Sequence, residues 1–131
     1  MSRSGYSDDC DGWALIRWRG AVKSAIRSKR GQAFLQELVA GLDAMPVKEL
    51  IDGALETDGQ YCALGVVGRN RGLEMGGVDP ENRKEVSSLF KIAPALAAEI
   101  AFENDDDWRE ETPAARWGRM RHWAISKIEV A

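Results

Sequence analysis

Glu56-Thr57-Asp58-Gly59-Gln60-Tyr61-Cys62-Ala63-Leu64-Gly65-Val66-Val67-Gly68-Arg69 is the stretch in which a tight turn, a cysteine and closely spaced glycines meet inside an apolar run. Asp58-Gly59 is a turn pair, because glycine takes positive φ without steric cost and aspartate bonds its own backbone. Flanked by Leu50–Leu55 before and Gln60–Cys62 after, it predicts a small β-hairpin near 50–62. The second arm then runs into a helix, Ala63 to about Arg71, closed by Gly72 in the C′ position. Gly65 and Gly68 each cost that helix about 1 kcal/mol relative to alanine. Such a cost suits a close backbone approach, with Leu64, Val67 and the two glycines as a flat face against a neighbouring helix. The stretch therefore reads as a packing centre.

N-terminal to it, Trp13 to about Ser28 carries Leu15, Trp18, Val22, Ala25 and Ile26 on one helical face. Gly31 breaks this pattern, and Gln32 to Ala44 restarts it with Phe34, Leu35, Leu38, Val39 and Leu42 inward. The two form a helical hairpin. Residues 1–12 are expected to be a flexible tail and 13–131 a single domain.

C-terminal to the centre, Leu73–Asn82 reads as a loop and Glu81 to about Phe90 as a short helix. Pro94 to Glu103 is a stronger helix, with Leu96, Ala97, Ile100 and Ala101 packed and Glu99 and Glu103 pointing out. Thr112-Pro113 pairs a capping hydroxyl with proline at the first helical position, opening a helix to about Glu129. The fold class is mainly α: a helical bundle of about five helices with one short hairpin.

The 131 residues are 44% hydrophobic and 30% charged, an ordinary globular composition. No apolar run approaches a membrane span and the start is polar and acidic, so the expected setting is cytoplasmic, without a membrane partner. Cys10 and Cys62 offer no disulfide framework, and a single histidine, His122, leaves no zinc-ligand spacing. No cofactor and no metal are expected.

A net charge of −3 conceals an asymmetry. Trp13 to Gln36 holds six basic residues (Arg17, Arg19, Lys23, Arg27, Lys29 and Arg30) and no acidic one. Glu99 to Glu111 holds seven acidic residues against Arg109. Positions 19, 23, 27 and 30 are spaced by three or four, which puts them on one face of a continuous helix. Arg19, Lys23, Arg27 and Arg30 are thus the candidate partner-binding residues. Their partner is a macromolecule or the protein's own acidic segment.

Chemistry has few footholds. Cys62 ahead of a helix N-terminus is a candidate nucleophile, since the helix dipole lowers a thiol pKa, with His122 as base and Asn104 or Asp105 orienting it. Against this, Tyr61, Ala63 and Leu64 make a setting typical of buried, inert thiols. Glu103-Asn104-Asp105-Asp106-Asp107 offers oxygen ligands but lacks the glycine and distal glutamate of a calcium loop. For nucleic acid, Arg116, Arg119, Arg121 and His122 join the basic helix, with Trp18 and Trp123 interleaved; a pI near 5 opposes it.

The order Arg30-Gly31-Gln32-Ala33, Asp58-Gly59-x-x-Cys62-Ala63-Leu64-Gly65, Glu103-Asn104-Asp105, Glu111-Thr112-Pro113 and Arg116-Trp117 resembles a group of small proteins of phages, prophages and their bacterial hosts. More distantly, the Cys-Ala-Leu-Gly and Asn-Asp elements are similar to small actinobacterial proteins. The resemblance implies a mobile-element accessory role, exercised by binding host machinery, and brings no activity with it. The shared elements also suggest a structural pairing. Asn104 and Asp105 would bond backbone near the Asp58-Gly59 turn or the Thr112 cap, making Asp58, Gly59, Cys62, Gly65, Asn104 and Asp105 one structural centre.

The expected function is accordingly non-enzymatic binding of a host protein or complex, as an inhibitor or modulator. The alternatives are a nucleic-acid-binding accessory protein and a cysteine-dependent hydrolase.

Overall fold

The computed structural model describes residues 12–105 and 110–129. Residues 1–11 of the expected tail, Cys10 among them, and Asp106, Asp107 and Arg109 lie outside the described residues, while Gly12 opens the first helix.

Within these bounds the order is α1 (Gly12–Arg27), α2 (Lys29–Ala44), β1 (Glu56–Thr57), β2 (Gln60–Tyr61), α3 (Ala63–Arg71), α4 (Arg83–Phe90), α5 (Pro94–Asn104) and α6 (Pro113–Lys127). The mainly α fold with one short hairpin is as expected, with six helices among the described residues.

α2 is the central element, packing against α3 on one side and α6 on another. Its Leu35, Leu38 and Leu42 are fully buried, and each such side chain contributes about 1.5–3 kcal/mol relative to exposure. Phe34 meets Phe90 of α4 edge to face, with ring centroids 6.2 Å apart.

α1 ends at Arg27, within one residue of the expected end, and α2 begins two residues later, without the break expected at Gly31. Ser28 takes an extended conformation, and its hydroxyl donates to Ala25 O at 2.7 Å and accepts from Gly31 N at 3.0 Å. It closes α1 and caps α2 at once. Gly31 therefore does not break the helix but lies inside α2. A Cβ there would stand 1.9 Å from Ala25 O, so glycine is needed for the approach of α1's last turn.

The hairpin is tighter than expected. β1 and β2 are two residues each, paired Glu56↔Tyr61 and Thr57↔Gln60 around Asp58 (φ 50°) and Gly59 (φ 77°). Two positive φ values in a two-residue loop make a type I′ turn, whose twist matches that of the strands. Leu50–Leu55 is not a strand arm; Gly53 takes φ 77° and turns it aside. Its backbone is used at longer range, with Leu50 N donating to Pro113 O and Ile51 N to Tyr61 O, both at 3.0 Å.

α3 follows as expected, with Gly72 left-handed at its end. The neighbour that requires Gly65 is not a helix, however. A Cβ on Gly65 would stand 1.9 Å from Leu55 O, on the arm leading into the hairpin, and Gly68 lies under Met75. Glu99 and Glu103 also depart from expectation. Glu99 is buried in α5, and Glu103 is half-buried, 3.9 Å from Arg119.

Candidate functional site

The central stretch and the end of α5 are joined by one side chain. Asn104, almost wholly buried, accepts from Ala63 N at 3.0 Å and donates to Ile51 O at 2.9 Å and to the Asp105 carboxylate at 2.7 Å. The pairing falls on the hairpin's base rather than on the Asp58-Gly59 turn, which stays exposed. Thr112 caps its own helix through Ala115 N. A buried amide that meets both a backbone donor and a backbone acceptor removes two desolvation penalties together.

Arg116 adds a second clamp. It is 8% exposed, and its guanidinium donates to Asn104 O at 3.1 Å and Leu50 O at 3.3 Å, with Glu111 at 3.4 Å and Asp52 at 3.7 Å. Arg119 pairs with Glu111 at 2.7 Å and Arg121 with Asp43. The α6 arginines are thus spent within the fold and do not extend the basic face of α1. The carboxylates at 103 and 111 neutralise α6, not α1.

Cys62 is buried at the N-cap of α3, where its Sγ accepts from Gly65 N at 3.4 Å. Burial outweighs the hydrogen bonds and pushes the thiol up to about 12, so it is protonated at neutral pH. Asn104 is committed to backbone and to Asp105, while His122 is exposed on α6. Among the described residues no cluster of three or more His, Cys, Asp or Glu side chains is able to hold a metal ion.

Asp105 is held above the usual carboxylate range by burial, opposed by hydrogen bonds from Asn104 and the Gly53 amide. A raised folded-state pKa adds stability below the unfolded value of 3.8 and loses it as pH rises through the folded value. Asp105→Asn, which keeps an acceptor without the charge, is expected to be the more stable protein at pH 7. Urea midpoints of the two should converge as pH falls towards 3.8. A constant difference across that range would contradict the burial cost.

α1 carries a second group of basic residues. A groove of about 440 Å³ runs between α1 and the segment that follows α6. Val22, Ile26 and Ile128 supply apolar surface, Glu99 lies at its base, and Arg19, Lys23, Arg27 and Lys127 stand along it. Arg27 lies 3.3 Å from Glu129, while Arg19 and Lys23 are exposed with no ion pair among the described residues. Arg30 does not join them. The break at Ser28 puts it in α2, beside a different groove where Glu37 engages Arg71.

Gln32, to which the sequence reading gives no role of its own, fixes two of the segments that line the groove. Its amide donates to Ile26 O at 2.7 Å and Lys127 O at 3.0 Å and accepts from Glu129 N at 2.8 Å, tying the end of α6 to the α1–α2 junction. No local signal marks such a residue, because two of its three partners lie 95 and 97 residues away. Trp18 is buried under the Arg83 guanidinium, 5.3 Å from the ring centroid, and Trp123 is half-buried against the core. The tryptophans taken as interleaving with the charges are therefore packed inward. Among the described tryptophans Trp13 is the exposed one, at 72%.

Fold and site together define a small, mainly α protein with a minimal hairpin, a buried amide–guanidinium clamp and a cation-lined groove beside its first helix. No protein-family model, curated protein or solved structure matches the chain. Among the described residues no helix is long and apolar enough to cross a membrane.

Proposed function

We propose that this protein is a non-enzymatic binding protein whose recognition element is α1, acting on a protein partner in the cytoplasm. The observation that carries the reading is that Arg19 and Lys23 are exposed, form no ion pair among the described residues, and stand beside a groove with an apolar wall. An apolar centre with a polar rim, enriched in arginine, is the make-up of a protein-recognition patch. The resemblance to small phage and prophage proteins adds the idea that the partner is a host complex, which the protein modulates or inhibits. The buried, protonated Cys62 thiol disfavours the cysteine-hydrolase alternative.

The test is co-purification from a bacterial lysate with wild-type protein and with the Arg19→Glu/Lys23→Glu double variant. Both positions are exposed, so melting should be unchanged while the captured set is lost. Capture that survives the double variant would remove α1 from the interface. Nucleic acid remains the second reading because of the exposed cations and Trp13. Sub-micromolar binding of duplex or single-stranded DNA at about 150 mM salt, lost when Arg19, Lys23 and Arg27 become alanine, would put it first.

A further inference from the structure

We infer that the partner segment is an acidic amphipathic helix, and that it lies across the outer face of α1 with its point of closest approach at Gly20. The inference rests on α1 being the binding element and names what that element takes.

α1 leaves apolar side chains in solvent on the face opposite its core contacts. Trp13 is 72% exposed and Ile16 59%, and among the described residues Val47 and Ile125 are the other large apolar side chains so exposed. Trp13, Ile16 and Gly20 are spaced by three and four residues, so they form one row along the helix. Lys23 and Arg27 continue the row, with Arg17 on one side of it and Arg19 on the other. An apolar row flanked by charges of one sign has the arrangement of a coiled-coil seam, in which flanking charges choose the partner. Here every charge on α1 is positive, so the matching helix has an apolar seam flanked by carboxylates.

Gly20 is an independent observation. A Cβ there, as on Gly118 of α6, would meet nothing within 4 Å, so no contact among the described residues requires a glycine, although it weakens the helix; what sets Gly20 apart is its place in the row with Trp13 and Ile16. Gly31 and Gly65 are the contrast, since each is explained by an internal carbonyl. A bare backbone patch beside exposed Trp13 and Ile16 lets a crossing helix come close while Trp13 supplies the large anchor of an interface centre. A second copy of this chain does not suit the face, because it would set Arg17, Arg19 and Lys23 against themselves.

The probe is a synthetic peptide of about 20 residues, long enough to hold a helix, with leucine on one face flanked by glutamate. Its twins carry glutamine or lysine in place of glutamate. Titrated against the full chain at about 150 mM salt, the glutamate peptide should bind at least about tenfold more tightly than the glutamine twin. The lysine twin should not bind. Trp13→Ala should weaken the glutamate peptide about tenfold. Gly20→Leu should weaken it similarly while leaving the melting temperature unchanged or higher, a pattern that loss of fold does not produce.

Equal binding of the glutamate and glutamine peptides, no binding by either, or full binding by Gly20→Leu would overturn the inference. Tighter binding of single-stranded DNA or of phosphatidylserine vesicles would overturn it too. If the peptides fail while co-purified protein is still lost from Arg19→Glu/Lys23→Glu, the binding-protein reading stands and only the class of partner is wrong. If both fail, that reading falls with it.

Discussion

Gly65→Ala is expected to destabilise the protein by about 2–3 kcal/mol, whereas Gly118→Ala, also a helix-interior substitution, is expected to stabilise it by up to about 1 kcal/mol. In α6 a Cβ on Gly118 meets nothing within 4 Å, so alanine brings its helix propensity and no clash. In α3 a Cβ on Gly65 would sit 1.9 Å from Leu55 O and 3.2 Å from the Tyr61 Cβ. The obstacle is backbone, not the end of a flexible side chain. Leu55 O also accepts from Cys62 N at 3.2 Å, so relief of the clash strains the bond that leads the hairpin into α3. Urea unfolding of the two variants at equal m-value decides the matter. Equal stabilities would mean that α3 and the 50–55 arm separate more easily than their contact implies.

Asn104→Ala should cost about 3 kcal/mol, since it leaves the Ala63 amide and the Ile51 carbonyl unpaired in the interior, at about 1–3 kcal/mol each. Asn104→Asp has nearly the same volume and should still cost about 2 kcal/mol at neutral pH. It retains an acceptor for Ala63 but turns oxygen towards the Ile51 carbonyl and the Asp105 carboxylate. The readout beyond global stability is hydrogen exchange at Ala63, which should speed up before the amides in the middle of α2 do. If Ala63 stays protected in Asn104→Ala, another acceptor has replaced the side chain and the clamp is dispensable.

Local signals were legible wherever one short segment settles its own geometry. Asp58-Gly59 produced a type I′ turn, Gly72 a left-handed helix end, and Thr112-Pro113 a capped start, each within a few residues. The misreadings share a cause. A glycine lowers helix propensity whether it breaks a helix or admits a neighbour, so propensity makes Gly31 a break and leaves the neighbour of Gly65 unspecified. The break at Ser28 then moved Arg30 off the face shared by Arg19, Lys23 and Arg27.

The helical class, the place of the hairpin and the one-signed charge of α1 are all readable along the chain, because periodicity, turn chemistry and composition are local or additive properties. The packing of the helices decided which charges remain free among the described residues. Arg116 and Arg119 look as available in sequence as Arg19 and Lys23, yet α6 carries them onto Glu111 and the carbonyl of Asn104, while α1 turns its own outward. It likewise decided that Glu99 is buried, that Trp18 is covered and that Trp13 is not. A side chain's partners are set by where distant helices cross, and neither spacing nor charge along one helix contains that information.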